Sequence, residues 1–127
     1  MDVKEVEILD EEGKPLLTKD NDRRFFEACW IHKKDDVYYL SYSTGDTHYI
    51  VYATSDNPYG PFTYKGVLNN PVLGWTNHHS VVEVNGKWYL FYHDIQLSNQ
   101  TNLRNVKVTE LIHKSDGSIK TINTILK

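Results

Sequence analysis

One carboxylate in this chain is set among large apolar side chains. In Phe25-Phe-Glu-Ala-Cys-Trp30, Glu27 is flanked by two Phe, Ala28, Cys29 and Trp30. A carboxyl group in apolar surroundings loses hydration, which disfavours its charged form. A carboxyl pKa raised in this way is what a general acid needs near neutral pH. The plainer reading is an ordinary carboxylate paired with Arg23 or Arg24. A second cluster is Trp75-Thr-Asn-His-His-Ser80. Paired His residues invite a zinc reading, but no Glu stands at the H-E-x-x-H spacing. Adjacent residues on a strand point to opposite faces, so at most one of His78 and His79 faces a given site. An inward His would donate a hydrogen bond or act as a distant ligand for a hydrated cation. Arg104, in Asn102-Leu-Arg-Asn-Val, offers a planar fork for sugar hydroxyls or a carboxylate. Its alternative is a surface ion pair. His32, His48, His93 and His113 read as packing or surface residues, with cleft-facing loop positions as the alternative for His48 and Asp46. Asn99-Gln-Thr101 matches a glycosylation sequon of a kind common by chance.

The elements that must position these groups are strands. Apolar residues recur with period two and turn residues punctuate them. Val37-Tyr-Tyr-Leu-Ser-Tyr-Ser follows Asp35-Asp36, and Lys87-Trp-Tyr-Leu-Phe-Tyr-His follows Asn85-Gly86. Val6-Glu-Ile-Leu precedes Glu12-Gly13, and Val108-Thr-Glu-Leu-Ile precedes Asp116-Gly117. Asn-Gly and Asp-Gly suit two-residue hairpin turns because both central residues need positive φ. Four antiparallel hairpins are expected, with almost no helix. The segments starting at Val37 and Lys87 align fifty residues apart. A four-stranded unit at this period predicts a β-propeller blade. Residues 25–71 would form one blade and 72–127 a second, with 1–24 as the outer hairpin of a preceding blade and a linker. Propellers have about 4–8 blades, so the fold class is all-β, a partial propeller. An open or sandwich-like sheet is the alternative.

Composition narrows the function classes. With 39% hydrophobic and 24% charged residues the chain is globular. A net charge of −3 leaves no basic footprint for nucleic acid. No apolar run is long enough to span a membrane. The single cysteine, Cys29, excludes an internal disulfide and reads as a small buried hydrophobe rather than a reactive thiol. Met1 to Asp10 shows no secretion pattern, and the compartment stays unassigned between cytoplasm and secretion after processing. Nine Tyr and three Trp suit strand packing, and they also suit a sugar-binding cleft.

Three segments together resemble glycoside hydrolase family 43, the group of β-xylosidases, α-L-arabinofuranosidases and arabinanases. Phe26-Glu-Ala-Cys-Trp-Ile-His with Tyr38-Tyr-Leu-Ser-Tyr-Ser resembles the family's general-acid strand and its partner. Gly74-Trp-Thr-Asn-His-His-Ser with Trp88-Tyr-Leu-Phe-Tyr-His resembles its central-histidine strand and partner. Asp56-Asn-Pro-Tyr-Gly-Pro-Phe resembles its inter-blade turn. The resemblance implies the C-terminal part of a five-bladed propeller and an inverting mechanism. Glu27 would match the acid and His78 the axial His, which in some members contacts a hydrated calcium. Arg104 would match the sugar-binding Arg. Trp30 and Trp75 are expected as stacking platforms for a xylo- or arabino-oligosaccharide. No cofactor is required by this mechanism, and calcium is the one metal it suggests. The family's two Asp residues, the base and the one that tunes the acid, lie upstream of the acid strand. Asp2, Asp10, Asp20 and Asp22 do not stand in their contexts. The isolated chain is therefore expected to be weakly active or inactive, unless a missing N-terminal half or self-association completes it. The rival expectation is a non-catalytic carbohydrate-binding or self-assembling module.

Overall fold

A computed structural model describes residues 2–74 and 77–124. Among the described residues, eight strands form two sheets. In the first, β1 (Ile8–Leu9), β2 (Phe25–Lys34), β3 (Val37–Thr44), β4 (Ile50–Ser55) and β5 (Phe62–Asn69) lie in the order β1-β5-β4-β3-β2. β2 to β5 form an antiparallel meander, and β1 adds in parallel to its outer edge through Ile8↔Phe62 and Leu9↔Thr63. The N-terminal hairpin is thus short, closed by one antiparallel bridge between Leu9 and Pro15 and seated against β5. The second sheet has the order β6-β7-β8, with β6 (His79–Val84), β7 (Lys87–Asp94) and β8 (Asn105–Leu111).

The turns follow their residues. Asp35 and Asp36 take φ of 50° and 65°, and Asn85 and Gly86 take 52° and 83°. These left-handed pairs match the twist of the flanking strands, so β2–β3 and β6–β7 close tightly. The hairpin after β8 is reduced to an antiparallel bridge between His113 and Ile119. The returning segment crosses to the first sheet instead. Ile122 forms a parallel bridge with Asn69, and its amide donates to Leu68 O at 2.8 Å. The second unit therefore has three strands and a fourth segment shared with its neighbour.

The two sheets pack face to face. Tyr39, Ile50, Tyr52 and Leu68 from the first meet Val81, Leu90, Tyr92, Leu111 and Ile119 from the second in one buried cluster. Burying each such side chain is worth about 1.5–3 kcal/mol. Polar atoms inside this interface are used as ties. Tyr52 Oη accepts the Ile119 amide at 2.9 Å, and Tyr39 Oη donates to Gly117 O at 2.7 Å. A separate cluster of Tyr42, Val51, Ala53 and Phe62 fills the far face of the first sheet, against Ile8. This packing of twisted antiparallel units, innermost strand beside innermost strand, is a partial β-propeller of about two blades. It puts the beginnings of β2 and β6 and the end of β7 at one end of the assembly.

Candidate active site

Glu27 owes its placement to irregular pairing. Along β2 and β3 the partners are Phe25↔Thr44, Glu27↔Ser43 and Trp30↔Ser41, with a register shift on each side of Glu27. Each shift inserts an extra residue in β2, which is a β-bulge. Bulges bend a strand and re-aim side chains, and they are common next to active sites. Ala28, in the second bulge, has φ of 62°, the left-handed region that a residue with a Cβ enters only with strain. No glycine marks this position, so the sequence carries no turn signal for it.

Across from Glu27, the chain entering β6 brings up His78. Its Nε2 is 3.7 Å from Glu27 Oε1. The two side chains are 55% and 35% exposed, so a ligand can reach both. His79 points the other way and its Nε2 lies 2.6 Å from Ser41 Oγ. Burial, and then the charge of His78, pushes the His79 imidazole down to about 4, so it stays neutral. Two bonds lock the height of β6 against the first sheet, one from β3 and one from β2. One is Ser41 to His79, and the other runs from Trp30 Nε1 to Val81 O at 3.1 Å. Asn77, just before His78, is fully buried, and neither of its amide atoms has a partner among the described residues.

Behind His78 stands His93, near the end of β7. Its Nε2 accepts the His78 amide at 3.3 Å, and the two rings stack 6.0 Å apart at 21°. Burial first, then the charges of Arg104 and His78, hold His93 below its ordinary value against the pull of Asp94. Arg104 itself is exposed in the turn that leads into β8. Its charge bears on His93, so Glu27, His78, His93 and Arg104 lie along one end of the two blades. The sequence offered His93 only as a packing or surface residue, because nothing in its spacing links residues 78 and 93. Strand pairing makes that link, through His79↔Tyr92.

Some expectations change. Glu27 is not enclosed by aromatics. Phe25 leans on the Tyr42 ring, with centroids 5.7 Å apart, and Phe25 and Phe26 are both nearly half exposed. The reason is that β2 is the terminal strand of its sheet, with neighbours only on the β3 and β6 sides. Trp30 is 40% exposed, but its indole N–H is committed to Val81 O. Trp75 lies outside the described residues. Asp46 and His48 sit on the turn after β3, at the same end of the blade as Glu27. Among the described residues no three His, Cys, Asp or Glu side chains gather as a metal site. Calcium takes about 6–8 oxygen ligands. Among the described residues, His, Cys, Asp and Glu side chains gather no such ligand set for a directly bound calcium.

Residues 2–119 match the model of glycosyl hydrolases family 43, and the chain belongs to that family. It is 60% identical over 118 residues to a xylosidase/arabinosidase of Bacteroides ovatus, covering 92% of this chain and 36% of that protein. It is 59% identical over 116 residues to a β-xylosidase of Xylanibacter ruminicola, with 91% and 36% covered. Among solved structures, a β-xylosidase/α-arabinofuranosidase from a compost microbial metagenome, in complex with xylotriose and free of calcium, superposes with a TM-score of 0.93. That protein is 67% identical, and the match covers 98% of this chain and 38% of it. A family 43 enzyme of Xanthomonas citri complexed with xylose gives a TM-score of 0.91 at 60% identity, with 94% and 36% covered. This chain thus spans little more than a third of the length of these relatives.

Proposed function

We propose that this chain is the C-terminal, acid-bearing part of a glycoside hydrolase acting on β-xylosides or α-L-arabinofuranosides with inversion. The observation that carries the reading is Glu27, presented by two bulges on an innermost strand with His78 Nε2 at 3.7 Å. Relatives of the chain are xylosidases and arabinosidases, and two structural relatives hold xylotriose or xylose. Glu27 protonates the leaving glycosidic oxygen. Its open side is where an upstream carboxylate and cleft wall would enclose it. Inversion needs a base about 6.5–9.5 Å from the acid, on the far face of the sugar. That base comes from outside these residues. His78 and Arg104 hold sugar hydroxyls, and Trp75 supplies a stacking face. Trp30 supplies one with the part of its ring left open. His78 would hold a hydrated calcium through water, and acid/base turnover needs no metal.

The test is hydrolysis of aryl β-D-xyloside and aryl α-L-arabinofuranoside by the chain, alone and with a separately produced upstream portion of a close relative. Glu27→Gln runs in parallel. The proposal expects little turnover alone, restoration by the upstream portion, and loss with Gln. Restored turnover that survives Glu27→Gln would refute the acid assignment.

A second reading has its own observation. Val82, Val84, Phe91, Val106 and Val108 share the outward face of the second sheet and are 39–77% exposed. Such a face suits a docked blade or a second copy in a non-catalytic sugar-binding assembly. Sugar affinity that survives Glu27→Gln, without turnover in any mixture, would favour this reading. Light scattering of the pure chain reports self-association.

A further inference from the structure

We infer that His93 is a positioning residue whose Nε2 holds the backbone of His78, and so aims the His78 imidazole at Glu27. The inference rests on the reading of Glu27 and His78 as one site. It goes beyond that reading because neither the sequence pattern nor the likeness to known enzymes gives His93 a role.

The geometry is specific. His78 lies just outside β6, with no strand partner of its own, because the paired register begins at His79↔Tyr92. A residue at such a position keeps freedom in its backbone dihedrals, and its side chain swings with them. His79 is tied by Ser41 Oγ at 2.6 Å, and Val81 O is tied by Trp30. His93 supplies the next tie along the chain, accepting the His78 amide at 3.3 Å. The near-parallel ring stack, 21° at 6.0 Å, sets the plane of His78 as well. Because the backbone N–H donates, Nε2 of His93 carries no proton and the ring proton sits on Nδ1. That Nδ1 is buried without a partner among the described residues. A buried donor left unpaired costs about 1–3 kcal/mol, and a Leu or Phe of similar size would avoid it. The imidazole at this position is thus explained by its acceptor. His93 itself stays in place through β7–β8 pairing, His93↔Val106.

The test needs no turnover. In chain uniformly labelled with ¹⁵N, an N–H···N bond gives a scalar coupling between the His78 amide nitrogen and His93 Nε2. His93→Leu removes the acceptor while keeping an apolar side chain of similar bulk. His93→Gln returns an acceptor oxygen at about the reach of Nε2. The inference expects the coupling in the unmodified chain. It also expects a nuclear Overhauser signal between the His78 ring and the Glu27 methylenes that disappears with Leu and stays with Gln. Amides of Tyr92 and Asp94 report that each variant is folded. Three results would overturn the inference: no coupling, an Overhauser signal that persists with Leu, or one that is absent in both variants. The coupling alone decides if the Leu variant does not fold. A chain that shows the coupling but gains no turnover with the upstream portion defeats only the glycosidase reading.

Discussion

Mild acid should weaken this fold through its buried imidazoles. His32, 7% exposed, stacks on Tyr39 with centroids 4.6 Å apart and meets the edge of His113. The two Nε2 atoms lie 3.0 Å apart, so one ring donates and the other accepts. Burial first, then the charges of His113 and His79, pushes His32 down to about 3. Burial pushes His79 to about 4, and burial with Lys34 takes the more open His113 to about 4. An unfolded His takes up its proton near about 6.5. Below that pH the unfolded chain binds protons that the folded chain refuses, so stability falls as pH falls, down to the folded values. Between about pH 7 and about pH 5.5, one fully shifted His costs about 1.2 kcal/mol. His32 and His79 together cost about 2.4 kcal/mol, and His113, partly solvated, adds a smaller share. Asp10, Asp20, Asp35 and Asp116 have lowered values, so their contribution is lost only below the usual carboxylate range and is intact at about pH 5.5. The assay is urea unfolding followed by Trp fluorescence at the two pH values, on the chain and on His32→Phe. The variant should lose somewhat less than half of the pH-dependent part. Equal stability at both pH values, or a pH dependence untouched by His32→Phe, would refute the reasoning.

Three further perturbations follow from particular contacts. Ala28→Gly should leave folding intact and raise stability by up to about 1 kcal/mol, because glycine takes φ of 62° without strain. Ala28→Val should lower stability by about 1–3 kcal/mol, and denaturant midpoints separate the two. Tyr52→Phe deprives the buried Ile119 amide of its acceptor and should cost about 1–3 kcal/mol in the same assay. Lys107→Met should cost about 3–5 kcal/mol, since Lys107 Nζ pairs with the fully buried Asp94 at 2.6 Å and also donates to Thr124 O and Gln96. Restoration of stability in the double variant with Asp94→Leu would show that the cost lies in the stranded charge.

Much of the architecture was legible from residue order, because strands and tight turns are local events. Alternation, the Asn85-Gly86 pair and the fifty-residue repeat depend on pleat geometry and on φ preferences of single residues. They marked the hairpins and the blade repeat. The motif order around Glu27 and His78 also pointed to the family. Tertiary structure alone decided the rest. No residue type announces the two bulges around Glu27, since Ala28 is held at positive φ by the strands on either side. His93 joins His78 only because β6 and β7 pair. The sharing of Ile122 with the first sheet needs both sheets in place. The openness of Glu27 likewise follows from β2 being a sheet edge, a property of neighbours in space. Local sequence specified which groups are candidates for chemistry. Long-range pairing specified where those groups point, because direction is set by partners far away along the chain.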